Sequence, residues 1–262
     1  MIKAKKSLGQ NFLVDHNIID KIVSVVDIKD KNILEVGPGT GNLTTAILKK
    51  NPKKLLLIEK DYELSDLLER NLGEKIKIIN QDILNVDENI LDTETLTVFG
   101  NLPYNISTEI LCKWILNIND KKIWFDYLIL MFQKEVADRL ISKFNTRSYG
   151  RLSILANWKL DIEKICDVSP SSFLPKPKID SSILFFKAKK KIFKLKNPKT
   201  LEKITRVFFM HRRKMIKKPY NLLFNGNFEI ASKLNINLNL RPQNLDFETY
   251  LKLADEYEKL RS

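Results

Sequence analysis

Short apolar runs and longer stretches with a helical period alternate along the first 188 residues of the chain. Strands are expected where the apolar run is short and continuous, at 32–36 (NILEV), 54–59 (KLLLIE), 76–80 (IKIIN), 95–100 (TLTVFG), 127–132 (YLILMF), 152–160 (LSILANWKL) and 181–188 (SSILFFKA). Helices are expected between them, at 43–50, 62–72, 107–116 and 133–142. This alternation predicts an α/β domain with a Rossmann-like, mainly parallel sheet.

The pattern changes beyond Lys199, where only helical periods remain, at 200–215, 227–234 and 244–260. We therefore predict two domains, a catalytic domain over residues 1–190 and a small all-helical domain over residues 191–262. Within the second domain, residues 206–218 (RVFFMHRRKMIKK) are expected to form one amphipathic helix, which Pro219 breaks.

The charge of the chain is concentrated in one segment. Lys and Arg number 45 against 32 Asp and Glu, for a net charge of +13. Between Lys187 and Lys218 there are 14 basic residues and one acid, Glu202, so this segment accounts for the whole excess. Such a balance favours a polyanionic partner, either nucleic acid or an anionic membrane surface. For the lysine-rich part at 187–199, a solvated face or flexible linker is the alternative.

The basic residues that follow apolar positions 207–210 are candidates for binding RNA phosphates: Arg206, Arg212, Arg213, Lys214, Lys217 and Lys218. The sequence contains no motif for reading bases in a major groove. Contacts are therefore expected to reach the backbone and shape of the nucleic acid.

The two cysteines, Cys112 and Cys166, lie far apart and have no neighbouring Cys or His ligands. Neither a disulfide framework nor a metal site is expected. No apolar run has the length of a signal peptide or a membrane span, so we expect a cytoplasmic protein. No sustained heptad is present, which favours a monomer.

A glycine-rich turn follows the first predicted strand. Its spacing, E-x-G-x-G-x-G, begins at Glu35 and includes Gly37, Gly39 and Gly41. The dinucleotide fingerprint would need glycine at position 42, which is Asn42, and the observed spacing is typical of S-adenosyl-L-methionine sites.

Two acidic residues extend this candidate cofactor site. Glu59 ends the second strand, where its carboxylate could accept both ribose hydroxyls, and Asp82 follows the third, where it could accept from the adenine amine. Each acid alone could be a surface charge. Ligands bind at the carboxyl ends of parallel strands, however, and all of these residues belong to that edge.

The sequence GNLPYN follows the fourth strand at the same edge. The side-chain oxygen of Asn101 and the carbonyl of Leu102, which precedes Pro103, can both accept from one amino group, and Tyr104 offers a flat face for a base. This arrangement suits methylation of an aromatic amine, whose lone pair is delocalised into its ring. The alternative is an ordinary turn after a strand, although a turn does not require tyrosine.

Nine motifs stand in one order along the chain: GQNFLVD, LEVGPGTGNLT, IEKD, QDIL, FGNLPYNIST, FQKEVADRL, SYGRLSIL, SFLPKPKIDSSIL and VFFMHRRKM. In this the chain resembles the KsgA family of rRNA adenine dimethyltransferases. The resemblance implies S-adenosylmethionine-dependent dimethylation of two adjacent adenosines in a hairpin loop near the 3′ end of small-subunit rRNA, late in ribosome assembly. The chain departs from the family pattern after HRRKM, in the stretch that includes Pro219.

The resemblance also implies roles for individual residues. Cofactor contacts are implied for Asn11, Leu13, Gly37, Glu59, Asp82 and Asn101. Asn101, Leu102 and Tyr104 would hold the target adenine, and Phe173 would be the second stacking face around a base splayed out of its loop.

Three functional hypotheses remain open. The first is the small-subunit dimethyltransferase, and the second is the related Erm type, which acts on large-subunit rRNA. The third is an assembly factor whose main task is to occupy the immature small subunit. An adenine-specific DNA methyltransferase is disfavoured because the chain has no additional target-recognition domain.

Overall fold

The computed structural model describes residues 4–86, 95–118 and 123–261. They form two compact units. The first, here called the sheet unit, comprises the chain up to Ala137 together with Ile162–Ala188. The second, here called the helical unit, comprises Asp138–Asp161 and Lys189–Ser262.

A seven-stranded sheet forms the centre of the sheet unit, in the order β4-β3-β2-β5-β6-β9-β7. Its strands are β2 (Asn32–Val36), β3 (Lys54–Glu59), β4 (Lys77–Asn80), β5 (Leu96–Gly100), β6 (Phe125–Gln133), β7 (Leu160–Val168) and β9 (Ser181–Ala188). The pairs among β4, β3, β2, β5 and β6 are parallel, and β9 is antiparallel to β6. The predicted mainly parallel α/β sheet is confirmed.

Helices α2 (Asn42–Leu48), α3 (Tyr62–Leu72) and α4 (Ser107–Asn117) connect strands of the parallel part, whereas α1 (His16–Val23) precedes β2 and α5 (Lys134–Leu140) follows β6. Aspartates cap two of them. Asp15 accepts the first free N–H groups of α1, and Asp61 accepts the Glu63 N–H at the start of α3. All five residues of β2 and of β5 are buried, because helices cover both faces of a parallel sheet.

A second, two-stranded ladder joins distant parts of the sheet unit. Strand β1 (Phe12–Leu13) pairs antiparallel with β8 (Phe173–Leu174). This ladder attaches the N-terminal segment to the same unit as the sheet.

The helical unit contains α6 (Arg151–Lys159), α7 (Lys199–Phe209), α8 (Lys217–Phe224), α9 (Phe228–Lys233) and α10 (Phe247–Lys259). Aromatic rings fill its core. Tyr250 lies 5.6 Å from Phe208 and 5.8 Å from Phe209, centroid to centroid, and Phe224 lies 4.7 Å from Tyr220. The predicted helical C-terminal region is confirmed.

The predicted strand at 152–160 is wrong, because the segment forms helix α6 and β7 starts only at Leu160. Six residues of α6 are buried, so its apolar positions are nearly continuous and show no helical period. A short apolar run of this kind cannot be assigned to strand or helix by periodicity. The Ser153 hydroxyl, which accepts the Gly150 N–H at 3.1 Å, helps to begin the helix.

The domain boundary also differs from the prediction. Residues 138–161 group with the C-terminal helices, so the helical unit takes a segment from inside the region expected to be catalytic. Sequence order alone placed one boundary near 190, whereas the chain passes between the units three times.

The expected single helix over 206–218 is wrong as well. Helix α7 ends at Phe209 and α8 begins at Lys217, with a turn between them. Pro219 does not break a helix but occupies the first turn of α8, where a backbone N–H has no intrahelical partner to lose.

Among the described residues, none of the helices combines the length and the apolar character needed to cross a membrane.

Candidate active site

The glycine turn after β2 adopts a backbone that favours glycine. Gly37, Gly39 and Gly41 have φ values of 69°, 58° and 84°. A Cβ on Gly39 would lie 2.9 Å from Cδ1 of Phe12, so strand β1 closes over the turn at van der Waals distance. The turn therefore needs both the left-handed conformation and the missing side chain.

Glu59 is held at the end of β3 by the backbone around it. Its Oε2 accepts the Gly39 N–H at 3.2 Å and its Oε1 accepts the Asp61 N–H at 2.8 Å. Burial raises the pKa of Glu59, and these two N–H groups act in the opposite direction. Each carboxylate oxygen keeps a further lone pair, so the side chain can accept two more hydrogen bonds.

Glu35 is the most deeply buried acid of the site, with 1% of its surface exposed. Burial raises its pKa to about 8, against a smaller lowering effect of the neighbouring Thr44 hydroxyl. Neither Glu35 Oε2 nor Thr44 Oγ1 has a partner with hydrogen-bond geometry in the described part of the chain. The site therefore contains one buried carboxyl oxygen without a partner, which a polar group of a ligand could satisfy.

Asp82 lies at the end of β4, where it accepts the Leu84 N–H at 3.0 Å and pairs with Lys60 at 2.9 Å. Burial alone would raise the pKa of Asp82, but the Leu84 N–H and the Lys60 ammonium hold it below its usual range. Asp82 is thus an ionised acceptor beside the glycine turn.

The N-terminal segment is attached to the site by side-chain hydrogen bonds. Asp61, 4% exposed, accepts from Lys5 Nζ at 2.8 Å and from Gln10 Nε2 at 2.9 Å. Asn42 Nδ2 donates to the carbonyl of Leu13 at 2.8 Å. These contacts bring Asn11 and Leu13 to the carboxyl edge of the sheet.

GNLPYN begins as β5 ends. Asn101 Nδ2 donates to the carbonyl of Asn11 at 2.8 Å, which leaves Oδ1 as the free acceptor end of the amide. Within the described residues, neither Asn101 Oδ1 nor the Leu102 carbonyl accepts a hydrogen bond. The Pro103 carbonyl, in contrast, accepts from the N–H groups of Ile106 and Ser107.

Tyr104 is oriented by its hydroxyl, which is 2.5 Å from Oγ of Ser181. Burial raises the pKa of Tyr104, so its hydroxyl is neutral at physiological pH. Ser181 is fully buried at the start of β9 and holds the ring in one orientation.

These groups surround one cavity of about 170 Å³, far more than the ~15 Å³ that a single water needs. Ten of the predicted site residues line it: Asn11, Leu13, Gly37, Gly39, Glu59, Asp82, Asn101, Leu102, Pro103 and Tyr104. The cavity joins a glycine turn, carboxylate acceptors and a pair of carbonyl oxygens. It can therefore hold a nucleoside-like ligand next to an amine.

Phe173 is not part of this cavity, contrary to the prediction of a second stacking face. Its ring is 1% exposed, belongs to the hydrophobic core of the sheet unit and lies opposite Leu13 in the β1–β8 ladder. Antiparallel pairing buries both side chains, so in this structure Phe173 anchors the N-terminal segment instead of facing a base.

The predicted RNA-binding residues lie in the helical unit, five of them exposed: Arg206 on α7, Arg213 and Lys214 in the following turn, and Lys217 and Lys218 at the start of α8. Arg212 is partly buried. Its guanidinium donates to Gln243 Oε1 at 3.1 Å and to the carbonyls of Thr146 and Arg147, so it also stabilises a loop.

Comparison with known proteins decides the family. The model of the ribosomal RNA adenine dimethylase family matches residues 1–259. The chain belongs to this family. The predicted resemblance and the predicted enzyme, an rRNA adenine dimethyltransferase, are both confirmed by this membership.

Relatives of this dimethylase are similar over their whole length. The chain is 62% identical over 260 residues to the ribosomal RNA small subunit methyltransferase A of Pelagibacter ubique, covering 99% of each chain. It is 40% identical to the protein of the same name from a Wolbachia strain of Drosophila simulans, covering 99% of this chain and 96% of the relative.

Two solved structures have a fold similar to that of this chain. A dimethyladenosine transferase from Plasmodium falciparum is 28% identical with a TM-score of 0.81, covering 95% of this chain and 98% of that one. The 23S rRNA methyltransferase ErmE, at 23% identity and a TM-score of 0.68, shares the fold. The fold of the dimethylase is thus that of S-adenosylmethionine-dependent methyltransferases.

Sequence reasoning missed several residues that orient the dimethylase site. Glu35 enters the sequence pattern only as the start of the glycine motif, and no local pattern gives a role to Lys5, Gln10, Asp61 or Ser181. Gln10 and Ser181 lie within the motifs GQNFLVD and SFLPKPKIDSSIL, which was the available signal. Their hydrogen bonds join residues 51 and 77 positions apart, which no local pattern reports.

No group of three or more metal-ligating side chains is found among the residues that the structure describes.

Proposed function

We propose that this dimethylase transfers methyl groups from S-adenosyl-L-methionine to N6 of two adjacent adenosines in a hairpin loop near the 3′ end of small-subunit rRNA. The product would be N6,N6-dimethyladenosine. One observation carries the proposal: Asn101 Oδ1 and the Leu102 carbonyl are open acceptors next to the oriented ring of Tyr104, at the edge of the cavity. The names of the relatives support the small subunit as the source of the substrate.

For the cofactor, the residues present fit its chemical groups. Glu59 has lone pairs for the two ribose hydroxyls, and Asp82 is an ionised acceptor for the adenine amine. The glycine backbone at Gly37 and Gly39 allows close approach, and Asn11 and Leu13 close the cavity from the N-terminal side. When bound, S-adenosylmethionine supplies a methyl group on a positively charged sulfur.

For the target adenine, the task of the protein is to make the exocyclic nitrogen nucleophilic without a strong base. In the first transfer Asn101 Oδ1 and the Leu102 carbonyl would each accept one amine hydrogen, which draws the nitrogen from planar towards tetrahedral geometry. In the second transfer the one remaining N–H would donate to one of these oxygens. The lone pair is then less delocalised into the ring and is available on the side of the cofactor. In each transfer the new N–C bond would replace one N–H bond, whose proton is released to water. Tyr104 would stack on the base, since its neutral hydroxyl is engaged by Ser181 and is not a proton acceptor.

The helical unit would bind the rRNA backbone through Arg206, Arg212, Arg213, Lys214, Lys217 and Lys218. The partner would be the pre-30S particle, and we propose a cytoplasmic monomer. Binding through phosphates predicts an affinity that falls steeply with salt.

The test is methyl transfer from labelled S-adenosylmethionine to small subunits that lack the modification, with naked rRNA, large subunits and DNA in parallel. Nucleoside analysis should yield N6,N6-dimethyladenosine from small subunits. An Asn101→Ala variant should yield none above background while still binding the cofactor.

Other outcomes would redirect the assignment. Label in the large subunit alone would favour the Erm type. Tight binding to small subunits without methyl transfer, or subunit maturation restored in cells by Asn101→Ala, would favour an assembly factor.

A further inference from the structure

A basic groove lies within the helical unit, between the start of α7 and the end of α10. Five exposed cations and two carboxylates contribute to its walls: Lys196, Lys199, Lys203, Arg206 and Arg261, with Glu202 and Glu258. Apart from Arg206, these cations are not among the residues already assigned to rRNA. The groove therefore needs its own explanation.

The two carboxylates are engaged with the protein. Glu258 accepts the main-chain N–H groups of Lys196 at 2.7 Å and Asn197 at 2.9 Å, which fixes the chain leading into α7. Glu202 pairs with Arg151, at 3.8 Å. The acids thus shape and support the groove, and the cations remain in excess along it.

Tyr257 forms the floor of the groove and brings two of the cations together. Its ring is 5% exposed and packs edge-on against Phe224, at 5.9 Å between centroids. Lys203 Nζ donates to its hydroxyl at 2.6 Å, and the guanidinium carbon of Arg261 lies 4.6 Å from the ring centroid. The aromatic face attracts each cation, but two like charges at one ring also repel each other.

An anion between the two cations would remove this repulsion. A phosphodiester oxygen can accept from an ammonium and a guanidinium at once. The preorganised floor reduces the conformational entropy that such a contact costs.

We infer that this groove binds backbone phosphates of RNA, as a second contact surface besides the basic residues from Arg212 to Lys218. The inference rests on the proposed function of the helical unit. Helix α7 has 11 residues and is therefore about 16 Å long. The groove at its start and the basic turn after its end would consequently contact different phosphates of one RNA.

The test compares two triple variants of the full-length protein. Lys199→Gln/Lys203→Gln/Arg261→Gln removes three cations of the groove, and Lys29→Gln/Lys50→Gln/Lys75→Gln removes three exposed cations of the sheet unit. The dissociation constant for a labelled small-subunit rRNA fragment is measured from about 50 to about 200 mM salt.

The groove variant should bind about tenfold more weakly, and the magnitude of its slope of log K against log salt should fall by about 2. The control variant should change affinity less than about twofold.

A milder variant tests the floor without removing charge. Tyr257→Phe keeps the ring against Phe224 but loses the oxygen that accepts from Lys203. We expect about two- to threefold weaker RNA binding. If the triple variant is unfolded by circular dichroism, Arg261→Gln replaces it, because this residue follows α10 and lies outside the helix.

Two results would overturn the inference. One is an equal affinity and salt slope for the groove and control variants. The other is saturable binding of inorganic phosphate, at matched ionic strength, that the groove variant loses while its RNA affinity stays equal to that of the control. These readouts are binding constants and do not depend on methyl transfer. The proposed function is tested by methyl transfer, so the two proposals can fail separately.

Discussion

Asn101 Nδ2 donates a 2.8 Å hydrogen bond to the carbonyl of Asn11, a residue 90 positions earlier in the chain. Through this bond the N-terminal segment sets the direction of the amide, and Oδ1 is left as an acceptor at the cavity. The segment expected to contact the cofactor therefore also orients the group expected to hold the target amine.

Asn101→Ala should lower kcat/KM by about 100-fold or more, since it removes an acceptor that acts in the transition state. Affinity for S-adenosylmethionine should fall much less. Steady-state methyl transfer and calorimetry separate the two effects. Asn71→Ala, at an exposed position of α3, is the matched control. A loss of activity as large in the control would contradict a specific role for Asn101.

The bond between Tyr104 and Ser181 should be visible as an interaction energy. Tyr104→Phe and Ser181→Ala should each reduce kcat/KM several-fold, because the ring loses its fixed orientation, and the double variant should be little worse than either single one. A double-mutant cycle on kcat/KM measures this, with an expected coupling of about 0.5–1.5 kcal/mol. Fully additive effects would mean that the bond does not orient the ring. Tyr104→Ala, which removes the ring itself, should be the most impaired variant.

Glu35 should make stability depend on pH. Its pKa is about 8 when folded and 4.5 ordinarily, so between these values the folded protein keeps a proton that the unfolded chain releases. The free energy of unfolding should therefore fall as pH rises through this window, by up to about 1.4 kcal/mol per pH unit. Above the pKa that Glu35 has in the folded protein, ionisation of this residue should lower the free energy of unfolding no further.

Urea unfolding of the cofactor-free protein from about pH 5 to about pH 8 tests this effect. Glu35→Gln should lose the Glu35 part of the pH slope and become the more stable protein, relative to wild type, towards pH 8. Glu69→Gln, at an exposed site on α3, should keep the wild-type slope. Parallel curves for wild type and Glu35→Gln would show that Glu35 is ionised throughout.

Gly39 and Gly73 allow backbone strain to be separated from close contact. Both have positive φ, 58° and 52°, but a Cβ on Gly39 would lie 2.9 Å from Phe12, whereas one on Gly73 would meet nothing within 4 Å. Gly73→Ala should therefore cost only the conformational strain of an L residue at φ 52° and ψ −130°, about 1–3 kcal/mol.

Gly39→Ala should add the displacement of β1 to its backbone strain and should therefore weaken S-adenosylmethionine binding, whereas Gly73→Ala should leave cofactor affinity unchanged. Denaturant unfolding and cofactor titration of both variants provide the comparison. Equal destabilisation with unchanged cofactor affinity would argue against close packing of Phe12 on the turn.

Much of the fold and of the candidate site could be predicted from local pattern. The strand expected at 181–188 and the helix expected at 62–72 have those same bounds in the structure. Glycines and acids that follow successive parallel strands must meet at one edge, so the cavity lining could be predicted without coordinates. Helix α6 could not, because an apolar run buried on all sides carries no period.

Phe173 shows the limit for individual residues. The family resemblance implied that its ring stacks on the target base, but the two-residue ladder with β1 buries it opposite Leu13, from a part of the chain 160 residues away. Ser181 is the opposite case, a small residue in a noted motif whose role becomes visible only when β9 brings its hydroxyl to Tyr104.

The sequence by itself determined the α/β order, the cofactor edge, the GNLPYN acceptors and the family, because each depends on residue type and short-range spacing. Only the tertiary structure decided which way the Asn101 amide points, that Phe173 is buried, that residues 138–161 join the helical unit, and that Lys203 and Arg261 meet at Tyr257. These are contacts between segments distant in the chain. Their geometry follows from how the elements pack, and no local pattern of residues encodes it.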